Sequence, residues 1–278
     1  MLRTYDDEMT EADAIAASTR PATLTSLTAD LHVLGVDAGA VVIAHVSLSR
    51  LGWVVGGAQI VVEALLAAVG PTGTVVMPTQ STHLSDPAHW VDPPVPAAWI
   101  DVVRAEMPVF DTALTPTRSM GQVVECFRHH RSTQRSAHPT LSFAACGDDA
   151  AAIVSDHPLS PGLGDSSPLG RLYERDARVL LLGVDHANNT SLHLAEHRAQ
   201  WPSKAMRLEG TAQFVDRVRR WISYEDLDLD ESDFAAIGEA FAATGRERTG
   251  PVGGGSGRLC KMRDIVDFGV AHMTTHRR

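Results

Sequence analysis

The sequence predicts an α/β fold, a central mainly parallel or mixed sheet covered by helices. Two stretches carry that prediction. In the first, the apolar run Val41–Val46, the helical stretch Ala58–Val69 and the run Thr74–Met77 follow one another, with Gly56-Gly57 and Gly70-Pro71-Thr72-Gly73 as the turns between them. In the second, Arg178–Val184 is a short continuous apolar run of the kind buried on both faces of a sheet, and Gly183 allows a tight exit. A polar turn from Asp185 to Asn189 then leads into a helix, with Asn189 or Thr190 as natural N-caps. Ligands of open α/β sheets sit where strand ends meet the following helix starts, which singles out residues 185–197.

The remaining elements follow in order. Residues 1–21 are polar and acidic and end at Arg20-Pro21, so they are expected to form a mobile tail ahead of a single domain over residues 22–278. Leu24, Leu27, Leu31 and Leu34 recur at helical spacing, and Gly35 closes that helix. Residues 79–117, rich in Pro, Trp, Asp and Ser, read as a long loop that Trp90 and Trp99 keep ordered. Gln213–Trp221 reads as a strand or hairpin arm. Residues 224–233 then place six acids in ten positions, a loop in this reading. Residues 234–245 and 262–272 have helical spacing, and the glycine-rich stretch 250–255 breaks them apart.

Composition bounds the function. The 278 residues are 44% hydrophobic and 21% charged, enough for a full core. A net charge of −10 argues against nucleic-acid binding and suits cationic partners. The three cysteines, at 126, 146 and 260, are widely spaced with no CxxC pair and read as reduced thiols. No basic leader with an apolar core opens the chain and no apolar run reaches membrane-spanning length, so a cytoplasmic location is expected.

His193-Leu194-Ala195-Glu196-His197 concentrates the chemistry. It places two imidazoles and a carboxylate on one broad helical face, with Thr190 a turn earlier. Two readings fit. HxxEH is the inverted zinc-protease signature, with two histidine ligands and a glutamate base. Alternatively one histidine is a general base oriented by Glu196, close to N–H groups that stabilise an oxyanion.

Further motifs occur in order along the chain: Val42-Ile43-Ala44-His45-Val46-Ser47-Leu48-Ser49, the turn 67–74, Gln134-Arg135-Ser136-Ala137-His138-Pro139, Thr190-Ser191-Leu192-His193-Leu194-Ala195-Glu196, Gly250-Pro251-Val252-Gly253, and Asp264-Ile265-Val266-Asp267-Phe268-Gly269. With them the chain resembles the aminoglycoside 3-N-acetyltransferases, the antibiotic N-acetyltransferase family, over residues 23–273. The resemblance implies an antibiotic N-acetyltransferase-like α/β fold, distinct from the common acetyltransferase fold. It implies transfer of the acetyl group of acetyl-coenzyme A to the 3-amino group of a 2-deoxystreptamine aminoglycoside by direct attack in a ternary complex, which confers resistance. Another amine is the alternative acceptor. His193 then matches the catalytic histidine, Glu196 fixes its tautomer, and the Thr190 hydroxyl donates to the acetyl carbonyl. His45, Val46, Ser47, Leu48 and Ser49 match the coenzyme-binding segment, and Arg135 and Ser136 supply charge and a hydroxyl for the same anion. Glu225, Asp226 and Asp228 are the candidates for holding a polycationic antibiotic. No metal is expected, His186 and His197 lie outside the motif, and the chain is expected to be a monomer or homodimer. The rivals are a zinc hydrolase ligated by His193 and His197, and a coenzyme-binding protein that needs no His193.

Overall fold

The computed structural model describes residues 11–278. Nine strands run through them: β1 (Val41–Val46), β2 (Thr74–Pro78), β3 (Gln134–Arg135), β4 (Phe143–Gly147), β5 (Arg178–Leu182), β6 (Met206–Val215), β7 (Val218–Leu227), β8 (Arg248–Val252) and β9 (Gly255–Lys261). Seven of them form one sheet in the order β3-β4-β2-β1-β5-β9-β8, and β6 and β7 pair separately as a hairpin. Within the large sheet β1 is parallel to β2 and to β5, while β4, β3, β9 and β8 join antiparallel. The sheet is therefore mixed, with a parallel centre.

Alternation along the strands sends neighbouring side chains to opposite faces. Val42, Ala44, Leu180 and Leu182 enter a core with α2 (Leu24–Leu34), α3 (Ala58–Val69) and α5 (Gln122–Arg128). Ile43, Val179 and Leu181 enter a second core with α6 (Ala150–Val154), α7 (Pro168–Glu174), α8 (Leu192–Arg198), α9 (Phe234–Ala242) and α10 (Met262–His276). From β1 the chain crosses through α3 to β2 on one side, whereas β5 lies on the other side of β1 and feeds α8 on the opposite face. The order of strands thus reverses at β1, and the carboxyl ends of β1 and β5 open the crevice in which α/β folds bind ligands.

Local sequence explains why these ends meet. Ser47 N–H donates to Leu182 C=O at 2.9 Å, extending the β1–β5 pairing into the short 3₁₀ turn Leu48–Leu51. Gly183 has φ +66°, and a Cβ there would lie 2.5 Å from Arg50 Cβ, so only glycine lets the exit of β5 rest on that turn. On the other face, Thr23 and Ser26 form a reciprocal cap on α2 and Gly35 ends it at φ +113°.

Several expectations need correction. The stretch read as the end of a mobile tail holds α1 (Glu11–Ala17), fastened by Trp53 Nε1–H to Glu11 and Trp53 N–H to Ser18; residues 1–10 lie outside the described residues. The element expected at 213–221 is two strands joined at Asp216 and Arg217, both with positive φ, as a type I′ turn requires. The first four residues of the acidic run, 224–227, are strand, since β7 extends to Leu227. The glycine-rich break at 250–255 is the β8–β9 hairpin, whose Pro251 is tolerated because β8 is an edge strand.

Residues 79–117 are ordered, with three 3₁₀ turns and α4 (Ile100–Glu106). Trp90 is half-buried against a small third core of Leu84, Met107 and Ala212, but Trp99 is exposed, so polar bonds replace its expected role. Asp86 accepts a bidentate pair from Arg104. Arg135 donates to Thr79, Ser81, Thr112, Thr115 and Ser142 and stacks 4.8 Å from the Phe110 ring. Arg135→Met, which orphans several buried acceptors, is expected to cost about 2–3 kcal/mol in urea unfolding and to speed proteolysis within 79–117.

Candidate functional site

The site forms on α8, whose short length is compensated at both ends. Asn189 Oδ1 accepts from Ser191 N–H at 3.1 Å, and Ser191 is the N-cap, one or two residues later than the sequence suggests. At the other end Lys204 Nζ donates to the carbonyls of Glu196, His197 and Ala199 at 2.6–2.8 Å.

His193 and Glu196 are brought together as expected. Glu196 Oε2 accepts from His193 Nδ1–H at 2.5 Å, which leaves the lone pair on Nε2. The His193 side chain is 11% exposed and Glu196 is fully buried, with Phe234 packed 4.9 Å from the imidazole. The second carboxylate oxygen, Oε1, accepts from Arg277 Nη1 at 2.7 Å and from Asp230 N–H at 2.9 Å. Arg277 is itself gripped by both oxygens of Asp233 and by Asp230 C=O, and the carboxylates of Asp233 and Glu196 outweigh burial to hold its pKa above the usual arginine value. Asp230, Asp233, Lys204 and Arg277 were not singled out from sequence; only the acid density around 224–233 hinted at two of them.

This geometry favours a base over a zinc centre. Glu196 spends both oxygens on protein donors and occupies His193 Nδ1, and among the described residues no group of three His, Cys, Asp or Glu side chains is placed to hold a metal ion.

His45, the penultimate residue of β1, has its ring nearly buried and, among the described residues, no partner for Nε2. Burial, followed by the charges that His186 and His193 would carry beside it, pushes its pKa down to about 3, so it stays neutral. Val46, Ser47, Leu48 and Ser49 continue from it along the rim, with the hydroxyls of Ser47 and Ser49 3.2 Å apart. Thr190 sits at the crevice, its C=O accepting from His193 N–H at 3.1 Å.

Arg135 and Ser136 are placed differently from expectation. Arg135 spends its donors on the 79–117 segment, and the Ser136 hydroxyl is engaged by His157 Nδ1 and Phe143 N–H, both at 2.9 Å. These contacts occupy the donors of both side chains within the protein, away from the β1–β5 crevice segment that ends in Ser47 and Ser49. His138, in the same motif, accepts from Thr140 and Leu141 N–H groups.

The three acids also separate. Glu225 is exposed on β7, and Asp228 pairs with Arg207 at 2.9 Å. Asp226 is buried, accepting only from Gly162 N–H at 2.9 Å and Leu227 N–H at 2.8 Å, and no lysine or arginine among the described residues pairs with it. It lies close enough to His197 to offset part of the desolvation that lowers that imidazole's pKa.

The aminoglycoside 3-N-acetyltransferase family model matches residues 43–274. The SPbeta prophage-derived aminoglycoside N(3')-acetyltransferase-like protein YokD of Bacillus subtilis (strain 168) is 44% identical over 91% of this chain and 93% of its own length. Aminoglycoside N(3)-acetyltransferase VII of Streptomyces paromomycinus is 37% identical over 95% and 96%. Among solved structures, AAC-IIIb in binary complex with CoASH superposes with a TM-score of 0.82 at 33% identity, covering 92% of this chain and 97% of that one. AAC-VIa bound to sisomicin gives 0.81 at 31%, covering 92% and 98%.

Three buried imidazoles make the stability of this region acid-sensitive. Burial pushes His45 to about 3, His138 to about 4 and His157 to about 3, from 6.5. Each is neutral when folded and gains a proton on unfolding, so its contribution is complete above 6.5 and is lost as pH falls below it. Well below that point the loss is about 1.4 kcal/mol per pH unit for each histidine. Urea unfolding between pH 4.5 and 7 should show this slope, and His157→Gln should flatten it; equal slopes would show that His157 binds protons alike in both states.

Proposed function

Because the chain belongs to the aminoglycoside 3-N-acetyltransferase family and is therefore an acyltransferase, we propose that it transfers the acetyl group of acetyl-coenzyme A to the 3-amino group of a 2-deoxystreptamine aminoglycoside. The reaction proceeds by direct attack in a ternary complex, within one catalytic domain over residues 22–278, and modification of the antibiotic confers resistance. No helix among the described residues is long and apolar enough to cross a membrane, which suits the cytoplasm, where acetyl-coenzyme A is available.

One observation carries this reading: a histidine at the β1–β5 switch point whose Nδ1 is locked by a buried carboxylate while its side chain keeps 11% exposure. An aminoglycoside amine is mostly protonated near neutral pH, so it reacts as the free amine after losing one proton to solvent, and its nitrogen sheds a second proton as it attacks. His193 Nε2 accepts that proton as the C–N bond forms. Glu196 stabilises the resulting imidazolium, and Arg277 holds the carboxylate by its second oxygen. The thioester carbonyl oxygen, negative in the tetrahedral intermediate, takes a hydrogen bond from the Thr190 hydroxyl. When the C–S bond breaks, the proton on His193 passes to the departing sulfur, leaving coenzyme A and a neutral amide.

His45-Val46-Ser47-Leu48-Ser49 lines the rim as the coenzyme segment. Asp226 supplies the antibiotic's cation site: a buried carboxylate with two N–H donors and no basic partner gains most from an incoming ammonium group. Glu225, exposed on the same strand, adds attraction at longer range.

The test is acetyl transfer to a panel of aminoglycosides, followed by thiol release. His193→Ala should bind both substrates yet lose ~10²–10⁴ in kcat, and retention of half the wild-type kcat would remove it as the base. Asp226→Asn should raise KM for the aminoglycoside and leave coenzyme A affinity unchanged; an unaltered aminoglycoside KM would return Asp226 to a purely structural role at Gly162.

A further inference from the structure

A second histidine–carboxylate pair stands beside the first, and the reaction as described does not use it. Glu247, before β8, accepts from His186 Nε2 at 2.6 Å and from Arg258 Nη1 of β9 at 2.8 Å. Both side chains of the His186–Glu247 pair are buried, 2% and 1% exposed. Burial alone would raise the Glu247 carboxyl, but the bonds from His186 and Arg258 outweigh it and hold the pKa below the usual range. His186 Nδ1 is in turn 3.1 Å from Asn189 Nδ2, and Asn189 Oδ1 accepts from Ser191 N–H.

The direction of every bond in this chain is fixed. Ser191 N–H can only donate, so it faces the Asn189 oxygen, and the Asn189 amide nitrogen therefore faces His186. His186 has to accept at Nδ1 and donate from Nε2, which the ionised Glu247 accepts. The ring is also wedged against α9, where a Cβ on Gly238 would lie 2.3 Å from His186 Cβ. The result is a continuous strut from β9 to the N-cap N–H of α8, and the segment it immobilises carries Thr190 and, one turn later, His193.

We propose that His186 and Glu247 are positioning residues for acetyl transfer, setting through Asn189 the placement of Thr190 and the start of the helix that bears His193. The proposal rests on His193 being the base. Misplacement of reacting groups by about 1 Å costs on the order of 10²-fold, and the coenzyme and antibiotic contacts lie elsewhere on the crevice. The loss should therefore fall on kcat and not on KM.

The experiment is a double-mutant cycle of His186→Phe and Glu247→Leu, with Asn189→Asp as a near-isosteric probe that still accepts from Ser191 but cannot donate to His186. Coenzyme A binding stoichiometry and melting temperature are measured alongside kinetics. The double variant, which leaves no unpaired buried carboxylate, should bind coenzyme A at full stoichiometry with both KM values within twofold of wild type, and should lose about 10–100-fold in kcat. The single variants that fold should lose the same factor, because all act through one path. A folded double variant with wild-type kcat overturns the proposal, as does a loss confined to KM. His193→Ala assayed in parallel separates the two ideas: full activity there removes the base reading itself, whereas an inactive His193→Ala beside a fully active double variant removes only the strut.

Discussion

The Glu196 carboxylate is a full charge with no solvent exposure, and its compensation organises the second face of the sheet. An uncompensated buried carboxylate costs several kcal/mol, so the surrounding helices have to arrive where its lone pairs point. Its three partners come from separate places: His193 one turn back on α8, the Asp230 backbone just ahead of α9, and Arg277 just beyond α10. Arg277 closes the arrangement by binding Asp233 and lying 4.9 Å from the Trp201 ring. Three helices are thereby fixed relative to one charge. The requirement that makes the fold tolerable also pins the Nδ1 proton of the His193 imidazole, so stability and orientation are satisfied by the same atoms.

Around that charge the site is kept otherwise neutral or paired. His45 stays unprotonated close to His193, so burial leaves no permanent positive charge at the end of β1. Glu247 is neutralised by Arg258, as Glu196 is by Arg277. Asp226 alone among the buried carboxylates near the histidines lacks a basic partner among the described residues, so the local field favours a cation arriving from solution. Each carboxylate thus has a distinct electrostatic setting decided by what accompanies it in burial.

The parallel centre of the fold was readable because β1, α3, β2 and β5 are strongly patterned, local in sequence and punctuated by glycines. The antiparallel flanks were not: β8 contains Gly250 and Pro251, and β4 lies in a stretch whose alternation is masked by small residues such as Ala144 and Ala145. At the site, His193 and Glu196 were visible as neighbours on one helical turn. Their second oxygen partner, Arg277, lies 81 residues away, and Glu247 lies 61 residues from His186; no periodicity connects such positions. Arg135 shows the opposite difficulty. Its motif was recognisable, but the occupation of its donors by the 79–117 segment appears only in three dimensions.

The β6–β7 hairpin behaves as a beam. Near its tip it is bolted to the 79–117 segment through Arg219 to the carbonyls of Met107 and Arg104, while near its base, beside Asp226, His89 donates to Leu208 C=O. Nine residues of extended chain from Arg217 to Asp226 span about 30 Å, so a small tilt at the outer fastening is delivered as a displacement of the buried carboxylate. The His193 imidazole, anchored on the other side by Glu196 and Arg277, does not share that attachment. An outlying surface loop can therefore vary and shift Asp226 while the His193–Glu196–Arg277 arrangement stays constant, so the two sides of the crevice are free to diverge separately in one chain.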